Sequence, residues 1–180
     1  MPDFNKILTP GDFENGQVNT ITDIPEGSSL KIEYNRTLGI FELDRVEPDV
    51  FPKPVNYGFI PQTKDADGDE LDVLLYCHKP IPTGTYVKAT IIGLFKFEDD
   101  GEMDYKIVCV PADDRNTGDS ITSLEDLGKR WQQKIEFHFA HYKDLKKPGT
   151  TKVLGWGNIE EAKETIRECI VRYQKEGFKK

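Results

Sequence analysis

The sequence predicts an α+β domain, mainly β, with a small barrel or sandwich faced by two C-terminal helices. Three observations carry that class. Over the first 110 positions the apolar residues come in short or alternating runs punctuated by Gly and Pro. Over the last third they are spaced three and four apart. The length, 180 residues with 11% aromatics, suits one domain spanning 1–180 with a sizeable core.

Taken in order, strands are expected at 18–24, 30–34, 39–43, 71–77, 86–97 and 105–110. Pro25, Gly27, Pro48, Pro52, Pro54, Pro61, Pro80, Pro82, Gly101 and Pro111 separate them. A helix is expected from Ser123, because Leu124, Leu127, Trp131, Ile135 and Phe139 share one stripe; it should end before Pro148 and Gly149. A second should start at Asn158, an N-cap with Glu161 three residues on. Its stripe is Ile159, Ala162, Ile166, Ile170 and Tyr173, and Gly177 is its stop.

The longest apolar run, 89–95, lies between Lys88 and Lys96 and is far short of the ~20 residues a spanning helix needs. The opening MPDFNKIL has no apolar core and no small-residue cleavage site, so no secretory signal is expected. Cys77, Cys109 and Cys169 are odd in number and far apart, which speaks against a disulfide scaffold or cysteine zinc site and for the cytoplasm.

The net charge of −8 is concentrated. Residues 65–72, DADGDELD, carry five acids and no base, and 99–106, DDGEMDYK, carry four acids and Lys106; together they hold the whole excess. Both windows are internal and flanked by strand-like sequence. Ordered negative charge at this density repels itself unless a cation neutralises it, and a divalent metal is the obvious one.

Gly68 allows a tight turn on which Asp67 and Asp69 can converge, and Asp72 begins an apolar strand that fixes its direction. Dense oxygen donors suit Mg²⁺, Mn²⁺ or Ca²⁺. An EF-hand starting at Asp65 fails, because Gly falls at loop position 4 and Tyr76 at position 12. Asp99 and Asp104 lie across a Gly101 turn. Two carboxylate-rich turns in one small domain invite a multi-metal site for phosphoryl chemistry, although each alone is compatible with a solvated turn. Lys31 and Glu33 share a strand face, and Arg45, Tyr57, Tyr142 and Lys143 supply cations and hydroxyls suited to phosphate, although each taken singly reads more readily as a surface charge or a packed tyrosine. His138 and His141, three apart on a helix, have no acidic partner at ligand spacing and read as packing residues; His78 has no visible partner. Walker, dinucleotide and serine-hydrolase motifs are missing.

In this order the motifs resemble a family I soluble inorganic pyrophosphatase of the bacterial size class. The family's D-x-D-[PE]-x-D-V signature stands as Asp67-Gly68-Asp69-Glu70-Leu71-Asp72-Val73. Around it stand Lys31-Ile32-Glu33, Leu43-Asp44-Arg45, Asn56-Tyr57-Gly58, the 99–106 segment and His141-Tyr142-Lys143-Asp144-Leu145. The resemblance implies a five-stranded, closed, OB-like β-barrel with two helices, and hydrolysis of pyrophosphate by direct attack of a metal-bridging water. It implies Asp67, Asp72, Asp99 and Asp104 as metal ligands and Asp69 as general base. Lys31, Arg45, Tyr142 and Lys143 would hold the phosphates, with Tyr57 and Lys106 nearby. Glu33 matches an acid near metal-bound water. Asp23 stands where the family usually has Glu, one methylene longer. The resemblance also implies Mg²⁺, with Mn²⁺ or Zn²⁺ as substitutes, and a homo-oligomer, typically a hexamer. A phosphatase of the same fold acting on longer polyphosphates or nucleotides is the competing enzyme, and a cation buffer without turnover a further class. A nucleic-acid-binding OB-fold would need a basic groove with stacking aromatics, which the acidic windows contradict.

Overall fold

The computed structural model describes residues 3–116 and 120–178. Its elements are α1 (Phe4–Ile7), β1 (Gln17–Ile24), β2 (Leu30–Asn35), β3 (Ile40–Val46), β4 (Asn56–Phe59), β5 (Asp72–Leu75), β6 (Tyr86–Asp99), β7 (Glu102–Met103), β8 (Lys106–Pro111), α2 (Leu124–His141), β9 (Thr151–Gly157) and α3 (Ile159–Glu176). Five strands close a barrel in the order β1, β4, β5, β8, β6 and back to β1. The β5–β8 contact is parallel, with Val73 opposite Ile107. The other barrel pairings are antiparallel. β7 and β9 extend β6, and β2–β3 form a separate hairpin.

Alternation along the strands splits the core. Val73, Leu75, Ile107 and Cys109 pack with Ala162, Ile166 and Cys169 of α3. Leu74, Val108, Phe95 and Phe97 pack with Leu124, Ile135 and Phe139 of α2. Full burial of side chains such as Phe95 and Phe97 contributes about 1.5–3 kcal/mol each relative to exposure. Phe4 of α1 joins Tyr34 and Phe59, with Phe41 against them, and seats the hairpin on the barrel. Two glycines allow close approach. A Cβ on Gly58 would stand 2.0 Å from the Ile21 carbonyl oxygen, and one on Gly93 2.4 Å from Leu124 Cδ1. Gly93 follows a bulge in β6 that lets α2 lie close to the strand.

The α3 reading holds. Asn158 Oδ1 accepts from the Glu161 amide at 3.0 Å, the Glu161 carboxylate accepts from the Asn158 amide at 2.9 Å, and Gly177 caps the far end. The strands-then-helices order needs correction, because β9 lies between the two helices and pairs with β6. β4 and α1 were not anticipated, and the 71–77 run is a strand only over Asp72–Leu75. α2 ends at His141, well before Pro148, and turn bonds then carry Tyr142 and Lys143. No helix among the described residues is long and apolar enough to cross a membrane.

Candidate active site

The acidic loop before β5 is closed by its own backbone. The Leu71 amide donates to buried Thr63 Oγ1 at 2.9 Å, and the Asp65 amide to the Asp69 carbonyl at 2.7 Å. Gly68, at φ 96°, makes the turn that lets the Asp69 amide donate to Asp67 Oδ1 at 3.0 Å. The parallel register then sets the first residues of β5 and β8 side by side, which brings Lys106 to Asp72. The Lys106 ammonium, 1% exposed, lies 2.8 Å from Asp72 and 2.7 Å from Asp104. Burial alone would push it down, but Asp104 and Asp72 hold it well above the usual lysine range. The Tyr57 hydroxyl donates to Asp72.

At the end of β6, Asp99 receives the Lys143 ammonium on both oxygens, with the Tyr142 hydroxyl at 3.3 Å. On the hairpin, Lys31 pairs with Glu33, and Arg45 pairs with Asp44 at 2.6 Å and Glu47 at 2.7 Å. Asp23 is the extra residue of a bulge in β1, which re-aims its side chain. That carboxyl is 8% exposed, and its Oδ1 is buried without a hydrogen-bond partner. Burial, then the negative charges of Asp72, Glu70 and Glu33, raise it well above the carboxylate range.

All thirteen candidate residues line one cleft of about 1000 Å³. Three further wall residues escaped the sequence reading. Arg36 pairs with Glu70 and reaches Asp69 at 2.8 Å, while Glu70 accepts from Asn5 at 2.7 Å. Lys53 lies between Pro52 and Pro54, whose only sequence signal is a break between strands. Glu70 sits inside the acidic motif and is almost wholly buried. Arg36 and Lys53 are lone charges in loops, with no spacing signal to mark them. His138 is a packing residue, stacked on Tyr142 at 5.6 Å and pushed down to about 3 by burial, and His78 packs edge-on to Tyr76; His141 departs from the packing reading, because its ring lies 2.8 Å from the Asp144 carboxylate.

Among the described residues no three His, Cys, Asp or Glu side chains form a ready-made metal cage. Asp69, Asp72, Asp99 and Asp104 each hold a side-chain cation instead. The donor chemistry fits a hard divalent ion, since the cluster offers carboxylate oxygens. A positive group, the Lys106 ammonium, already stands between two of them. Asp67 is pushed up to about 6 by burial and then by Asp72 and Asp69, a repulsion that added positive charge would relieve.

The family model described as inorganic pyrophosphatase matches residues 20–174. The inorganic pyrophosphatase of Haemophilus influenzae is 61% identical over 173 residues, covering 96% of this chain and 98% of the relative. That of Neisseria meningitidis serogroup B is 60% identical over 176 residues, covering 98% and 99%. The crystal structure of an inorganic pyrophosphatase from Neisseria gonorrhoeae superposes with a TM-score of 0.94 at 60% identity, covering 96% of this chain and 99% of that one. With its barrel, its acidic motif and nearly its whole length matched, the chain belongs to the inorganic pyrophosphatase family of hydrolases.

Proposed function

We propose that the protein hydrolyses inorganic pyrophosphate to two phosphates with Mg²⁺ as its metal, by direct attack of water and with Asp69 as general base. Membership of the family implies a divalent metal cofactor. The observation that carries the reading is the meeting of carboxylates from three segments (Asp67, Asp69 and Asp72; Asp99 and Asp104; Asp23) with Lys31, Arg45, Lys106 and Lys143 in one cleft. Asp67, Asp72, Asp99 and Asp104 would hold the metal, with Asp23 and Glu33 beside them. Bound there, divalent ions offset the substrate's negative charge and acidify water at neutral pH.

The chain's own groups do the rest. The water oxygen forms a bond to one phosphorus, the bond from that phosphorus to the bridging oxygen breaks, and Asp69 takes the proton. Arg36 fixes the Asp69 carboxylate from one side. Phosphate oxygens would replace Glu33, Glu47 and Asp99 as partners of Lys31, Arg45 and Lys143. Those cations then stabilise the charge that develops on the leaving phosphate. Tyr57, Lys106 and Tyr142 complete the phosphate wall. The family likeness also supports a cytoplasmic homo-oligomer, a hexamer, without nucleic-acid or membrane partners. Phe137 on α2, 63% exposed, is a surface such an assembly could cover.

Phosphate release from pyrophosphate should require Mg²⁺ and stop with EDTA. Release that persists in EDTA, or equal rates on tripolyphosphate and nucleoside triphosphates, would overturn the assignment. Asp23→Asn should raise the Mg²⁺ concentration for half-maximal activity with a smaller effect on the rate at saturating Mg²⁺, because the orphaned Oδ1 is the atom a metal or its water would use. Asp23→Glu should be neutral or mildly beneficial. An unchanged Mg²⁺ dependence in both variants would leave Asp23 a strand residue without that role.

A further inference from the structure

Six cations lining the cleft, Lys6, Lys31, Arg36, Arg45, Lys106 and Lys143, each pair with a carboxylate. Lys53 lines the same cleft, and among the described residues no carboxylate lies within ion-pair distance of its ammonium. Its backbone is pinned, with the Lys53 amide donating to the Ser28 carbonyl and the Gly27 amide to the Lys53 carbonyl, both at 2.9 Å, and Pro52 and Pro54 on either side. The side chain runs along aromatic rings. Its Nζ is 4.3 Å from the centre of Tyr57 and 5.7 Å from those of Phe139 and Tyr142.

Lys106 Nζ faces two of those rings, at 5.3 Å from Tyr57 and 5.6 Å from Phe139. Two ammonium groups thus share one apolar wall, and only the Lys106 charge is answered by carboxylates. Burial, then repulsion from Lys106, pushes Lys53 down to about 8. A cation desolvated beside a like charge is unfavourable until an anion arrives. The cleft's proposed substrate and product are such anions.

We propose that Lys53 is a phosphate-binding residue of the cleft, whose ammonium takes a phosphate oxygen in the place where the six other cleft cations among the described residues have a carboxylate. The assignment rests on the phosphate chemistry proposed above and adds to it a residue outside the recognised motifs. It also separates Lys53 from Lys106: Lys106 is held by acids of the chain itself, whereas Lys53 gains its counter-charge only on binding.

Lys53→Met keeps the length and the apolar stem and removes the charge, and Lys53→Arg keeps the charge. Calorimetry with orthophosphate and with methylenediphosphonate, each in Mg²⁺, reads the binding. Loss of a charged hydrogen bond in a desolvated site should weaken both ligands by roughly tenfold or more in Lys53→Met, with Lys53→Arg recovering most of it. KM for pyrophosphate should rise in the same variant. Thermal unfolding of the ligand-free protein should be unchanged or raised in Lys53→Met, since an unanswered charge has gone. Wild-type phosphate affinity in Lys53→Met would overturn the proposal. So would a drop in both melting temperature and affinity that Lys53→Arg fails to restore, since that marks a packing role against Tyr57. A wild-type protein that binds neither ligand would instead overturn the phosphate reading itself.

Discussion

Asp69→Asn is expected to lower kcat by roughly 10²–10⁴-fold, the usual loss when a general base is removed. Asn has the shape of Asp, and its amide oxygen can still accept from Arg36, which lies 2.8 Å from Asp69. What it lacks is the capacity to take the proton of the attacking water. The Asp69 side chain is also 70% exposed, so the exchange should leave stability near wild type. Calorimetric Mg²⁺ titration should show binding largely retained, because the proposed ligands are Asp67, Asp72, Asp99 and Asp104. Turnover close to wild type at neutral pH in saturating Mg²⁺ would reject the role of Asp69.

The second large effect is on stability. Lys106→Met removes the ammonium buried between Asp72 and Asp104, whose side chains are 26% and 19% exposed. The two acids then face each other in a site short of water, and losing one partner of a buried ion pair typically costs about 3–5 kcal/mol. Asp104 is already raised by burial, and Lys106 is the group that pulls it back. Urea unfolding in EDTA should show the full loss. Adding Mg²⁺ should restore part of it, since binding to the folded state is a linked stabilisation. Equal unfolding midpoints for variant and wild type in EDTA would show that Lys106 is not the counter-charge it appears from its distances.

The acidic motif was legible because it is local. Five acids within eight residues around one glycine announce an acidic turn, whatever the rest of the chain does. The caps of α3 were legible for the same reason, being set by Asn158, Glu161 and Gly177 at fixed offsets. β9 was not, because Gly155 at φ 107° and the following Gly157 break the alternation that marks a strand. β4 is only four residues long and lies between prolines. The pairings of the site were also beyond reading. That Lys106 answers Asp72, that Arg36 answers Asp69 and that Lys53 has no carboxylate within ion-pair distance among the described residues depend on which strands become neighbours. Side-chain type carries the chemistry of a charge, whereas topology decides which charges meet.

The parallel contact of β5 with β8 also bears on how the enzyme comes into being. Antiparallel neighbours can zip from a tight turn, but parallel ones need a crossover, and here Asp72 and Lys106 are 34 residues apart. Contacts this far apart in the chain carry a loop-closure entropy that slows their formation. Until β5 docks on β8, the acids of the first window and the Asp104–Lys106 pair belong to separate pieces of a nascent chain, with nothing yet to bind. The return of phosphate release during refolding should therefore trail the return of secondary structure. A partly folded intermediate would hold most of its hydrogen bonds and none of its chemistry.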